Sequence, residues 1–123
     1  PNSFTANPAT DLYLRKVQGS YIYLTQRIAG TKHQFVVKYD IFDPNTSVSG
    51  NQIGAGTGTG IKTTTAGDLK YNTLGIGWIY AYDSTLKLMA YYDMVKNETS
   101  SNLAGYSKDL KDNVFTLRLQ YKF

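Results

Sequence analysis

The chain has 123 residues, no cysteine, one histidine (His33) and a net charge of +4 at pH 7, with a sequence pI near 9.2. That length holds one ordinary domain at most, the lack of thiols excludes disulfides and cysteine chemistry, and a lone histidine leaves no histidine cluster for a metal. No run of basic residues occurs, which argues against nucleic acid as a partner, and no stretch of ~18 apolar residues exists, so no helix can cross a bilayer. Alternating strands remain open, because their hydropathy averages out to mild values such as the −0.35 found here. Eleven tyrosines and eleven glycines complete the unusual features, and membrane barrels use many aromatics in their interfacial girdles.

Residues 1–15 are expected to be a loop-like extension, rich in turn formers such as Pro1, Asn2, Asn7 and Pro8. The chain opens on Pro1 without a methionine or a signal peptide, and reads as a piece of something longer. A first strand is expected over 16–28. Its facing is ambiguous; Val17, Gly19, Tyr21 and Tyr23 are assigned to the greasy side because Gln18, Ser20 and Gln26 share the other. A short turn over 29–32 follows, then a second strand over 33–43 with Phe35, Val37, Tyr39 and Ile41 on one face and Gln34, Lys38 and Asp40 on the other. Pro44 ends it, and the Gly/Thr/Ser/Asn-rich segment that follows, within the loop 44–69, is expected to be flexible. The glycines between Gly54 and Lys62 do not make a phosphate-binding loop, since Ile61 separates Gly60 from Lys62 and no helix follows.

A third strand is expected over 70–80, with Leu74, Ile76, Trp78 and Tyr80 facing Thr73, Gly75 and Gly77 across the backbone. After a tight turn at 81–84 comes a fourth strand, 85–95, with Leu86, Leu88, Ala90, Tyr92 and Met94 opposite Lys87, Met89, Tyr91 and Asp93. A polar loop, 96–112, leads to a fifth strand over 113–123. Here Phe115, Leu117, Leu119, Tyr121 and Phe123 are apolar, and the residues between are almost all polar. Its length suits a tilted membrane-crossing strand of roughly 9–11 residues. The connections alternate short, long, short, long, as in barrels with short periplasmic turns and long extracellular loops. The greasy faces of strands two to five, as assigned, carry no charged residue, where a midplane Arg or Lys costs roughly 2–4 kcal/mol.

The fold class expected from these residues is all-β, an antiparallel up-and-down meander of about five strands that forms the C-terminal part of a transmembrane β-barrel. The terminal Phe115, Leu117, Leu119, Tyr121 and Phe123 resemble the assembly signal of outer-membrane barrels. Together with Tyr39-Asp40-Ile41-Phe42-Asp43-Pro44-Asn45, Leu74-Gly75-Ile76-Gly77-Trp78-Ile79-Tyr80 and the stretch Met89 to Glu98, they resemble the C-terminal strands of the phosphate-selective porin O and P family and its porin relatives. The resemblance covers about Val17 to Phe123. It implies a porin in the outer membrane of a Gram-negative bacterium, passing small hydrophilic solutes through a barrel of many more strands. Its implied partners are outer-membrane lipid, the barrel-assembly machinery, the remaining strands of the parent protein and, as a homotrimer, two further copies. The family's phosphate-site residues have no counterpart in this stretch.

On the polar faces, Lys38, Asp40, Lys87, Asp93 and Arg118 are the candidate pore-lining charges, with Lys122 beyond them; cations outnumber anions, which would favour anion passage. The alternative is that Lys38/Asp40 and Lys87/Asp93 merely pair with neighbours across strands. No carboxylate pair, Ser/His/Asp set or metal-ligand spacing stands out, so the expectation is a non-enzyme without cofactor. Two other classes remain open: a soluble β-sandwich binding or adhesin domain, and an outer-membrane enzyme whose catalytic residues lie outside this stretch.

Overall fold

Five segments of alternating side chains satisfy their backbone groups by pairing with one another, and they do so in chain order. In the computed structural model, which describes residues 15–56 and 64–123, one sheet has the order β1-β2-β3-β4-β5. The strands are β1 (Gln18–Arg27), β2 (His33–Asp43), β3 (Tyr71–Ala81), β4 (Leu86–Asn97) and β5 (Val114–Tyr121). The meander is antiparallel, and each bound falls within two residues of the sequence expectation. The expected extension over 1–15 lies outside the described residues, apart from Arg15.

The β4–β5 register displays the two faces directly. Leu86↔Tyr121, Leu88↔Leu119, Ala90↔Leu117 and Tyr92↔Phe115 are opposite pairs on the apolar face, and Lys87↔Gln120, Met89↔Arg118 and Tyr91↔Thr116 on the polar one. Nothing among the described residues covers the apolar face: Leu74 and Ile76 are exposed, and so are Phe35, Val37 and Tyr39. The buried sheet residues lie instead on the polar face, at Val36, Gly75, Gly77 and Met89, with Asn97 at the end of β4.

The facing expected for β1 is reversed. The Tyr23 hydroxyl lies 3.4 Å from that of Tyr91, a polar-face residue, so Tyr21, Tyr23 and Arg27 share the polar side while Ile22, Leu24 and Ile28 point the other way. The physical reason is the arginine. The sequence-based facing, continued along the strand, sets Arg27 among the greasy side chains; the observed one leaves the apolar side of β1 uncharged.

The chain divides into two compact units. The first comprises 21–40, 72–95 and 111–123, and holds most of the strands with both short turns. Those turns are adjacent: the Ala81 amide donates to the Lys32 carbonyl at 2.9 Å. In the second turn, Asp83 Oδ1 accepts from the Thr85 amide (2.7 Å), the Thr85 hydroxyl (2.8 Å) and the Leu86 amide (2.8 Å), a local alternative to backbone pairing that closes the hairpin. These bonds, those from Thr85 first, hold the Asp83 carboxyl below its ordinary value, with a smaller contribution from the Lys32 charge.

The second unit comprises residues up to Ser20, 41–71 and 96–110. The described parts of the loop 44–69 carry local structure. Two 3-10 turns, Gly50–Gln52 and Ala66–Asp68, flank the undescribed residues 57–63, and Ile53 and Leu69 are completely buried. The polar composition is used for internal bonding. Asp68, fully buried, accepts from Asn45 Nδ2 at 2.9 Å and from the Thr65 amide at 2.8 Å, and pairs with Arg15 at 3.0 Å. Glu98 accepts from the amides of Gly50 (2.7 Å) and Lys70 (3.2 Å), and Ser100 donates to the Ile53 carbonyl at 2.6 Å. Glycines 58 and 60 and Lys62 of the rejected phosphate-loop pattern fall outside the described residues.

In the strand unit, a Cβ at Gly75 would meet Asp93 Oδ1 and Lys38 Cγ at 2.5 Å, and one at Gly77 would run into the Tyr91 ring. Gly77→Ala is therefore expected to lower stability by about 1–3 kcal/mol through overpacking. Gly67→Ala, whose new methyl would meet only Thr65 Oγ1 at 3.5 Å, serves as the near-neutral control. Denaturant titration in detergent micelles, followed by tryptophan fluorescence from Trp78, measures both.

The Asp83 shift also fixes a pH dependence. Because the folded value is depressed, the turn's extra stability is full above the ordinary carboxylate range and is lost as pH falls through the lowered value. Amide signals of Thr85 and Leu86 should move together in that acidic window, and Asp83→Ala should abolish the transition.

Candidate functional site

The polar face of the strand unit carries the charged residues, and alternation places all five candidate pore-lining residues on it. Lys38 and Asp93 form an ion pair, Nζ to Oδ1 2.9 Å. The cross-strand pairing considered from the sequence occurs in part: Lys38 reaches across β3, over Gly75, to Asp93 of β4, whereas Lys87 has no carboxylate beside it. Asp93 Oδ1 accepts no hydrogen bond of good geometry, so the contact is chiefly one of charge. Asp40 lies two positions along from Lys38 and forms no ion pair among the described residues.

Toward the short turns the polar face is concave. A cavity of about 290 Å³ is bordered there by side chains from all five strands, including Arg27, Lys87, Arg118 and Lys32 at the foot of β2. Its apolar floor includes Met89 and Ile79, with Tyr91 on one side. No carboxylate borders it, and among the described residues none pairs with Arg27, Lys87 or Arg118. Lys32 donates to the Tyr82 carbonyl and lies 5.0 Å from the Tyr82 ring centre, an arrangement that leaves it further donors.

Arg27 and Lys32 are absent from the residues singled out in the sequence. The signal that identifies Arg27 was available: extending the β1 alternation from Tyr23 to position 27 places an arginine among the apolar side chains on one facing and in the polar face on the other. Lys32 has no such signal, because it sits at the end of a turn.

His33 is not a ligand in waiting. Trp78 Nε1 donates to His33 Nδ1 at 3.0 Å, and the His33 ring packs against those of Trp78 and Tyr80 at 5.6 and 5.0 Å. The acceptor role fixes the proton on Nε2, and the three rings make an aromatic cluster on the apolar face beside the short turns. Among the described residues no three His, Cys, Asp or Glu side chains come together as a metal site. Asn45 and Asn97, which begin Asn-x-Thr/Ser triplets, are both buried.

The proposed assembly-signal residues fall on the sheet edge. Phe115, Leu117, Leu119 and Tyr121 share the apolar face of β5 and are each more than 60% exposed. Phe123 lies past the end of the strand, with its ring 6.2 Å from that of Tyr121. The other edge, β1, is exposed along its whole length.

No protein family, curated protein or solved structure matches the chain.

The Lys38–Asp93 pair is one-third and one-fifth exposed, between a surface and a buried bridge. A double-mutant cycle with Lys38→Met and Asp93→Leu should give a coupling of about 0.5–2 kcal/mol after allowance for solvent screening. Asp93→Leu alone should cost less than Lys38→Met alone, because the lysine stem can carry its charge to solvent while the carboxylate cannot move. Micellar unfolding midpoints of the four proteins provide the test.

Proposed function

We propose that these strands form part of the wall of an outer-membrane β-barrel through which small hydrophilic solutes pass, with a preference for anions. One observation carries this reading: an uncovered apolar face on five successive strands, charged only at its long-loop end by Asp43 and Lys96, backs a concave face whose Arg27, Lys87 and Arg118 have no carboxylate partner among the described residues. An apolar patch of that extent needs lipid or a partner. The alternating backbone and the aromatic cluster at the short-turn end fit a bilayer, with the turns on the periplasmic side. The resemblance to porins noted in the sequence points the same way.

Five strands do not close a barrel, whose smallest single-chain examples have eight. The exposed edges of β1 and β5 are where the remaining strands of the parent protein would pair. The β5 edge is also the place where an assembly machine would add a strand of its own, taking affinity from main-chain bonds and specificity from Phe115, Leu117, Leu119 and Tyr121.

The anion preference falls to Lys87, Arg118 and Arg27, because Lys38 is already neutralised by Asp93. In planar bilayers under a salt gradient, Lys87→Gln with Arg118→Gln should move the reversal potential of the full-length barrel toward cation permeability. Lys38→Gln with Asp93→Asn should leave it nearly unchanged. Equal selectivity in all three proteins would overturn the anion preference, and a chain that stays monomeric in buffer without detergent would overturn the membrane placement.

A further inference from the structure

The charges around the 290 Å³ cavity are in electrostatic conflict as they stand. On β4 and β5, Lys87 lies opposite Gln120 and Arg118 opposite Met89, so neither faces a carboxylate across the ladder. The register makes Lys87 and Arg118 diagonal neighbours on one face, a separation of roughly 7–8 Å at which like charges repel. Arg27 and Lys32 add two more cations from the other side of the cavity. Two acids of this unit are committed elsewhere. Asp93 is paired with Lys38, and Asp83, which acts on Lys32 through space, is bound into its own turn. Elsewhere on this face Lys38 is matched to Asp93. Here four positive groups converge on a hollow with none to oppose them.

We propose that this cavity is a binding site for a small organic anion carrying two or more carboxylate or phosphate groups. The proposal rests on the reading of the polar face as the solute-facing side, and adds to it a place and a ligand class. Two arginines provide planar forks suited to carboxylate or phosphate oxygens, and the lysines provide adaptable point charges. The volume is nearly tenfold that of one water in the liquid, about 30 Å³, which is more room than a bare oxyanion fills. Met89 and Ile79 offer a carbon skeleton an apolar floor, while the Tyr91 hydroxyl and the Gln34 and Gln120 amides can bond to hydroxyl or ester oxygens. The exposure of the cations keeps the binding weak and fast, as passage through a pore requires.

The test is equilibrium titration of the full chain in zwitterionic detergent micelles, read by ¹⁵N amide shifts, with citrate, glucose 6-phosphate, inorganic phosphate and acetate as probes. Citrate and glucose 6-phosphate should bind more tightly than inorganic phosphate, with acetate weakest, and all should weaken as salt rises. The shifts should concentrate at Lys87, Tyr91, Arg118 and Arg27, not in the long loops. Arg27→Gln with Arg118→Gln should weaken citrate about tenfold or more, as expected for loss of two charge-assisted contacts. Arg27→Lys with Arg118→Lys should restore part of the loss, and Lys38→Gln with Asp93→Asn should leave binding unchanged. If the glutamine variant does not fold, the shift map of the unaltered chain decides alone. Shifts spread over all cations, or inorganic phosphate binding as tightly as citrate, would overturn the proposal. Citrate bound in micelles without anion-selective conductance in bilayers would keep the site and remove the pore; conductance without citrate binding would do the reverse.

Discussion

Lys38 and Asp93 sit on strands that are not neighbours. With neighbouring strands about 4.8 Å apart, β2 and β4 are separated by roughly 10 Å, and any ordinary β3 side chain would stand between them. Gly75 removes that obstacle, and the ion pair closes over the bare backbone at 2.9 Å. Two residues along, Gly77 does the same for the Tyr91 ring, which lies across β3 and reaches toward Tyr23 of β1. Glycine weakens a strand by its entropy and its missing packing surface. Here neighbouring side chains fill the space that it leaves, and the burial of both glycines is the result. The polar face is thus held together across the sheet by side chains bridging second neighbours, Lys38 to Asp93, and third neighbours, Tyr91 to Tyr23, beside the buried Val36 and Met89. The arrangement of everything else on that face follows from which side chains are spent on the bridge.

Lys38 is spent in this way, and so is Asp93. What remains is a set of cations whose ladder partners are glutamine and methionine. A sequence selected only for stability would place a carboxylate opposite Lys87 or Arg118, since such pairs contribute a few tenths of a kcal/mol to about 1 kcal/mol each. Asp93 lies on the same strand as Lys87, yet the register sets it opposite Val114, at the other end of the β4–β5 pairing. Local conflict of this kind is what a functional site looks like when the rest of the chain is consistent.

The loop unit shows the opposite economy. Its buried polar groups are densely satisfied: Asp68 by an arginine, an asparagine and a backbone amide, Glu98 by two amides. Sequence composition could not announce this. Gly, Thr, Ser and Asn are the residues of flexible linkers and equally those of tight turns and side-chain-to-backbone bonds, and only their three-dimensional partners tell the two apart. The strands were legible because one physical rule, period-two alternation, governs them residue by residue. The meander was legible because turn lengths allow little else. The facing of β1 was misjudged because its centre, Tyr21-Ile22-Tyr23-Leu24, is amphipathic on neither side; tyrosine suits lipid interface and polar wall alike. Charge decides what hydropathy leaves open, and Arg27 decides it here. The Lys38–Asp93 bridge was invisible for another reason: it is a second-neighbour contact, and the pair rules used on a sequence consider only first neighbours.

The number of strands constrains what can complete the sheet. In a meander of five, β1 and β5 run in the same direction, so a second copy joined edge to edge in a closed ring would place parallel pairs at each seam. Bacterial barrels are antiparallel throughout and have even strand counts. On the barrel reading, the missing wall therefore contributes an odd number of strands, entering beside β1 and leaving beside β5 in the opposite sense. Both edges carry main-chain groups that would each cost several kcal/mol if left unpaired in hydrocarbon. They also carry the most exposed apolar side chains of the sheet, Tyr21 on β1 and Leu119 on β5 among them. The same two strands supply Tyr23, Arg27 and Arg118 to the cationic hollow. On that reading completion of the wall and completion of the proposed site are coupled, because the edge strands that would take new neighbours are the ones that position the arginines.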